Sequence, residues 1–70
     1  MKEINSKMTG SVWKILVGVG EEVEANQEVV ILESMKMEIP IETEQSGRII
    51  EIKIKEGDFV NEGDVLIKLE

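Results

Sequence analysis

The stretch Ile49-Ile50-Glu51-Ile52-Lys53-Ile54-Lys55-Glu56-Gly57-Asp58 decides the fold. Its β-branched residues are interrupted by Glu51 and Lys53 with a period of two, the pattern of a strand with one face buried. Gly57 then supplies the positive φ that reverses a chain. Residues Val12 to Val17 repeat the pattern more weakly, and Gly20-Glu21-Glu22 supplies the matching turn. A second turn follows in each place, Glu24-Ala25-Asn26-Gln27 and Asn61-Glu62-Gly63-Asp64, and then a second apolar strand, Val29–Glu33 and Val65–Glu70.

The two stretches are copies. Shifted by 37 residues, Ile4–Glu33 aligns with Ile41–Glu70 without a gap. Seven positions are identical: Ile4/Ile41, Gly10/Gly47, Ile15/Ile52, Gly20/Gly57, Val23/Val60, Leu32/Leu69 and Glu33/Glu70. Others keep their character, as in Val12/Ile49, Val17/Ile54, Glu21/Asp58, Val29/Leu66 and Val30/Ile67. Chance would give about two identities over such a span. One supersecondary unit is therefore used twice, and two copies suit a pseudo-symmetric domain whose halves close on each other. Short strands, regular turns and no helical stripe predict an all-β sandwich or flattened barrel. The whole chain, 1–70, reads as a single domain with repeat units 4–33 and 41–70 and a join at 34–40.

Composition narrows the chemistry. The chain has 70 residues, 8 Lys plus Arg against 15 Asp plus Glu, for a net charge of −7, and neither His nor Cys. No disulfide or Cys/His zinc site can form, and catalysis through a Ser–His–Asp or Cys–His set is excluded. The acid excess argues against a nucleic-acid partner, which needs a basic patch. No apolar stretch approaches the roughly 20 residues of a membrane-spanning helix. The start of the chain has no apolar signal region. A soluble, cytoplasmic monomer that binds neither membrane nor nucleic acid is the expectation.

Individual side chains add little. Trp13 is a candidate ligand-stacking residue, but its counterpart is Ile50, which favours a core or partly covered sheet position. Phe59 aligns with Glu22 and is expected to pack beside a turn. Gly18-Val19-Gly20 resembles the start of a dinucleotide loop, but position 23 is Val and no helical pattern follows. The carboxylates form no paired-acid constellation and read as solvated strand faces.

What the repeat leaves out is more informative. Residues shared by both halves serve folding, whereas Ser34-Met35-Lys36-Met37-Glu38-Ile39-Pro40 has no counterpart. The segment is too short for anything but a tight connection, which puts Lys36 at or near a hairpin tip. Turns favour Gly, Asn, Asp and Ser, yet here two Met flank a Lys. Met35 and Met37 would sit near water, where a partner could grip them. The alternative is one more surface lysine among seven, with the methionines tucked over the sheet edge. An exposed primary amine on a rigid hairpin can be acylated and so anchor a long arm. A nucleophilic lysine would instead require burial or a nearby positive charge, and the neighbours here are Glu33 and Glu38.

At this point the sequence resembles a known family. Glu33-Ser34-Met35-Lys36-Met37-Glu38 is similar to the biotin-attachment motif of biotin carboxyl carrier domains, usually Glu-Ala-Met-Lys-Met. Gly20-Glu21-Glu22-Val23 and the run from Lys55 to Leu66 resemble that family's repeated Glu-Gly-Asp-x-Val-x-x-Gly turns. The resemblance covers Ile4 to Glu70. It implies a flattened barrel of two four-stranded antiparallel sheets related by a pseudo-twofold axis. It also implies a non-catalytic carrier, with biotin joined to Lys36 as an amide by a biotin protein ligase. The biotin would carry carboxylate from a biotin carboxylase to a carboxyltransferase. Carried over by residue, Lys36 is the attachment site, Met35 and Met37 are recognition or arm-environment residues, and Glu33, Ser34 and Glu38 flank them as recognition residues.

Three departures from the pattern stand out. Ser34 replaces the usual Ala, no extra loop separates the early strands, and no Ala/Pro-rich linker is present. The chain thus reads as a free-standing carrier or a trimmed domain. Lipoyl domains share the fold and the lysine position but usually show Asp-Lys-Ala at the tip, so Met37 favours biotin. Lipoate, attached by a lipoyl ligase for oxidative decarboxylation or glycine cleavage, is the alternative. A third reading, of another class, is an unmodified β-sandwich interaction module.

Overall fold

The computed structural model describes residues 2–70, and these form eight strands and no helix. They are β1 (Lys2–Asn5), β2 (Gly10–Ile15), β3 (Glu22–Val23), β4 (Glu28–Ser34), β5 (Met37–Glu42), β6 (Gly47–Ile52), β7 (Phe59–Val60) and β8 (Val65–Leu69). Two four-stranded antiparallel sheets result, in the orders β1-β8-β6-β3 and β5-β4-β2-β7. Replacing each strand by its repeat counterpart (β1 by β5, β2 by β6, β3 by β7, β4 by β8) turns the first order into the second. The 37-residue repeat is therefore a pseudo-twofold axis that exchanges the sheets, and the expected flattened sandwich is what forms. Its extents are 32 × 19 × 18 Å.

The core follows the same symmetry. Ile4 and Ile41, Val12 and Ile49, Val23 and Val60, Val29 and Leu66, Val30 and Ile67, and Leu32 and Leu69 are all buried, and Ile54 joins them, with its counterpart Val17 packed against the cluster. Two pairs of consecutive residues, Val29-Val30 and Leu66-Ile67, are fully buried, which simple alternation forbids. Bulges allow it. Glu28 pairs with Glu42 and Val30 with Ile41, so Val29 is the extra residue. Ile4 pairs with Ile67 and Asn5 with Val65, so Leu66 is its equivalent. Each bulge turns one more aliphatic side chain inward, a useful gain in a chain too short for a large core.

The polar interior is duplicated as well. Ser6 and Thr43 are buried, and each hydroxyl donates to the carbonyl two residues on, Met8 and Gln45, at 2.6 Å. In return each hydroxyl accepts the N–H of that same residue. No buried side-chain polar atom among the described residues lacks a partner. Gly10 and Gly47 are identical for a steric reason: a Cβ at either would lie 2.8 Å from a backbone oxygen, of Glu33 and Glu70 respectively. Gly20 and Gly57 take the positive φ, 94° and 97°, that the two reversals require.

Candidate functional site

The unrepeated segment lies where β4 turns into β5. Strand pairing runs Leu32 with Ile39, Glu33 with Glu38 and Ser34 with Met37, which leaves Met35 and Lys36 as a two-residue loop. Lys36 stands at the tip of this hairpin, as its spacing predicts. Both loop residues have positive φ, 53° at Met35 and 66° at Lys36. That is the signature of the type I′ hairpin turn, whose twist matches the flanking strands and which normally takes Asn-Gly. A residue with a Cβ in the left-handed region costs about 1–2 kcal/mol. Met and Lys are therefore poor choices for making this turn, and the surrounding strand pairs must hold it.

The side chains project outward. Met35 is 91% exposed and Met37 62% exposed, and Lys36 is exposed between them. The methionines are thus not tucked over the sheet edge. Glu33 and Glu38 face each other across the hairpin, one pair before Ser34 and Met37. Two like charges directly opposite weaken a sheet, so this pair too is not chosen for stability. Among the described residues, neither these carboxylates nor the Lys36 ammonium enters an ion pair. Ser34 is half-buried and its Cβ would lie 3.6 Å from a Cβ built on Gly10, so the small side chain at 34 sits over the start of β2.

The structure brings together all six residues singled out in the sequence, Glu33, Ser34, Met35, Lys36, Met37 and Glu38, on one hairpin. Nothing in their geometry resembles a catalytic centre. No group of three or more carboxylates capable of holding a metal occurs among the described residues. Two surface clefts lie along β1, β5 and their flanking loops, and neither is lined by any residue of 33–38. The hairpin offers an unpaired primary amine, held away from the body of the domain, that can be acylated and then swing an arm. The residues fit a covalently attached group for that reason.

Of the two aromatic residues, Phe59 departs from expectation and Trp13 does not. Phe59 does not pack beside its turn: it is 65% exposed, while its neighbour Val60 fills the core. The repeat carried the signal, since its counterpart Glu22 is a surface residue. Trp13 takes the partly covered sheet position expected of it, 41% exposed on the outer face, at a bulge where Val12 pairs with Leu32 and Lys14 with Ile31. Ile50 occupies the equivalent bulge of β6.

Comparison with known proteins agrees with this geometry. The family model described as "Biotin-requiring enzyme" matches residues 2–69. The chain is 58% identical over 66 residues to the biotin/lipoyl attachment protein of Bacillus subtilis, covering 94% of this chain and 90% of that protein. It is 53% identical over 57 residues to the biotin carboxyl carrier protein of acetyl-CoA carboxylase from Pyropia yezoensis, covering 81% of this chain but 36% of that protein. The crystal structure of the Kluyveromyces lactis urea carboxylase superposes with a TM-score of 0.91 at 36% identity, covering 99% of this chain and 6% of that one. With a family model spanning nearly its whole length and a relative matched almost end to end, this chain belongs to the biotin/lipoyl family of biotin-requiring enzymes.

Proposed function

We propose that the domain is a carrier whose Lys36 Nζ holds biotin as an amide, and that it moves carboxyl groups between a biotin carboxylase and a carboxyltransferase. The observation that carries this reading is the exposed Lys36 amine on a positive-φ, two-residue turn between two exposed methionines, in a chain of this family. The carrier proteins and carboxylases among the relatives support it.

Bound at Lys36, the cofactor would supply a ring that accepts and gives up a carboxyl group. The chain's own residues hold and present it. The Lys36 nitrogen replaces the leaving group on an activated carboxyl carbon, and the ammonium loses its charge as the amide forms, taking the formal net from −7 to −8. The sheets beneath keep the anchor fixed, so the sweep of the arm is set by its own bonds. Met35 and Met37 offer apolar surface beside its root.

Incubating the protein with a biotin protein ligase, biotin and ATP tests this. Avidin binding and one biotinyl mass increment are expected, and both vanish in Lys36→Arg, which keeps the charge and the fold. An unmodified protein under those conditions overturns the reading. Lipoate is the second reading, supported by the name of the Bacillus subtilis relative, and intact mass of protein from its native cell separates the two adducts. An unmodified interaction module would instead retain all activity as Lys36→Arg.

A further inference from the structure

The pseudo-twofold gives each residue on the outside of one sheet a counterpart on the outside of the other, so the fold carries its own control. On the sheet that bears Lys36, Phe59 pairs with Ser11 and Ser11 with Glu33. One step further from the tip, Lys14 pairs with Ile31 and Ile31 with Pro40. Trp13 sits at the bulge between these rows, a diagonal neighbour of Phe59 across β2 and β7. Leu32 and Val12 are buried beneath, which places Trp13, Ile31, Pro40 and Phe59 on the outside. Their counterparts on the other sheet are Ile50, Lys68, Glu3 and Glu22.

The fold does not ask for this difference. Glu22 occupies β3, the short edge strand equivalent to the β7 of Phe59, and Lys68 the position in β8 equivalent to Ile31 in β4, without loss of either sheet. An exposed Phe and Trp on the same outer face as Ile31 and Pro40, with Ser11 and Lys14 among them, group apolar side chains on one side of the domain, and grouped apolar surface marks interaction sites where scattered single residues do not. Trp is also the residue type most enriched at the energetic centres of interfaces.

Charge on the same face points to the partner. In the same row as Phe59, and between the Ile31–Pro40 pair and the tip, stand Glu33 and Glu38, in no ion pair among the described residues, whereas Glu70, the counterpart of Glu33, is paired with Arg48 at 2.8 Å. The Lys14 ammonium lies 5.5 Å from the Trp13 ring centroid, over the patch rather than beside the carboxylates. The face thus presents an aromatic patch and two uncompensated carboxylates leading to Lys36.

We propose that this face docks the ligase that acylates Lys36, through a ligase surface with an apolar pocket for Trp13 and Phe59 and basic groups for Glu33 and Glu38. The proposal rests on the carrier reading. It names the ligase because the ligase meets the chain before any arm exists and must choose one amine among seven lysines. Enzymes that use the loaded arm can grip its ring, but the ligase has only the protein surface to recognise.

The test is steady-state biotinylation by a biotin protein ligase of the unsubstituted protein, of Trp13→Ala/Phe59→Ala, and of Glu22→Ala/Ile50→Ala on the opposite sheet, each checked for a cooperative melt. The first pair should raise KM for the carrier about tenfold or more with kcat within about twofold, as expected when exposed interface anchors are truncated. The opposite-sheet pair should leave KM unchanged. Lys36→Arg, which cannot be loaded, should inhibit competitively, and Lys36→Arg/Trp13→Ala/Phe59→Ala should not. Unchanged KM in Trp13→Ala/Phe59→Ala while the unsubstituted protein loads normally would overturn the docking proposal alone. No loading of the unsubstituted protein would overturn the carrier reading and the docking proposal with it.

Discussion

Replacing Met35-Lys36 by Asn-Gly should stabilise the domain while destroying its attachment site. Both residues hold positive φ, 53° and 66°, at a cost of about 1–2 kcal/mol each. Gly at 36 removes that cost but gives back ~0.5–1 kcal/mol in unfolded-chain entropy, and Asn at 35 tolerates the left-handed region. The net gain is about 1–2 kcal/mol. Little is lost on the other side, because Met35 is 91% exposed and Lys36 is solvated. A domain of this size unfolds with an entropy of roughly 150 cal/mol/K near its midpoint, so Tm should rise by about 7–13 °C. Thermal and urea denaturation followed by circular dichroism measure it, and the urea m-value should not change. Met35→Gly alone, which keeps the lysine, should give about half the rise. Met35→Lys keeps the backbone strain and should give none. A Tm for Asn-Gly that stays level or falls, or a Met35→Lys variant that gains as much, would refute strain at the tip.

Core and polar positions carry the remaining expectations. Leu32→Ala and its counterpart Leu69→Ala, each within 1% of complete burial, should cost about 2–5 kcal/mol apiece. That is a large part of the ~4–10 kcal/mol available to a chain this short, and chemical denaturation will show both variants largely unfolded or close to it. Gly10→Ala places a Cβ 2.8 Å from the Glu33 carbonyl and should lower Tm although the backbone there is ordinary; it should also disturb Ser34, readable as a slower loading of Lys36. Thr43→Val deletes the hydroxyl that donates to the Gln45 carbonyl and accepts the Gln45 N–H. It should cost about 1–3 kcal/mol, more than Thr43→Ser, which keeps both hydrogen bonds.

The architecture was legible because the duplication is written in the residues that make the core. Six buried pairs are six aligned pairs of the repeat, so aligning the halves also identifies the inward faces. The bulges were not legible. Trp13, Ile50, Val29 and Leu66 each stand as an extra residue in a ladder, and no composition marks an extra residue until the partner strand is known. Strands β3 and β7 have two residues each, too short to show a period. The hairpin was legible from what the repeat omits, but its turn type was hidden. Met-Lys is not a sequence that announces positive φ, and the geometry is imposed by the pairing of Ser34 with Met37. Phe59 was misplaced because an aromatic residue beside a turn is ordinarily a packing residue. Here the two-residue strand turns Val60 inward, and alternation then turns Phe59 out.

The same duplication explains why the tip can be spent on function. Under the pseudo-twofold, β4 and β5 correspond to β8 and β1, which pair as Lys2 with Leu69 and have no turn between them. That sheet forms without a hairpin at the equivalent place, held by the core pairs and by the paired β8 and β6. The turn at Met35-Lys36 is therefore not what holds β4 against β5. Its residues are released from the requirements of turn formation, and a strained, water-exposed Met-Lys-Met is tolerated where Asn-Gly would fold better. Divergence between copies then becomes a physical criterion for function. Where Glu70 is neutralised by Arg48, Glu33 is left uncompensated beside Lys36, and where Glu22 meets water, Phe59 does. The stabilising choice is available in one sheet and not taken in the other, and in each case the sheet that forgoes it is the one that carries the lysine.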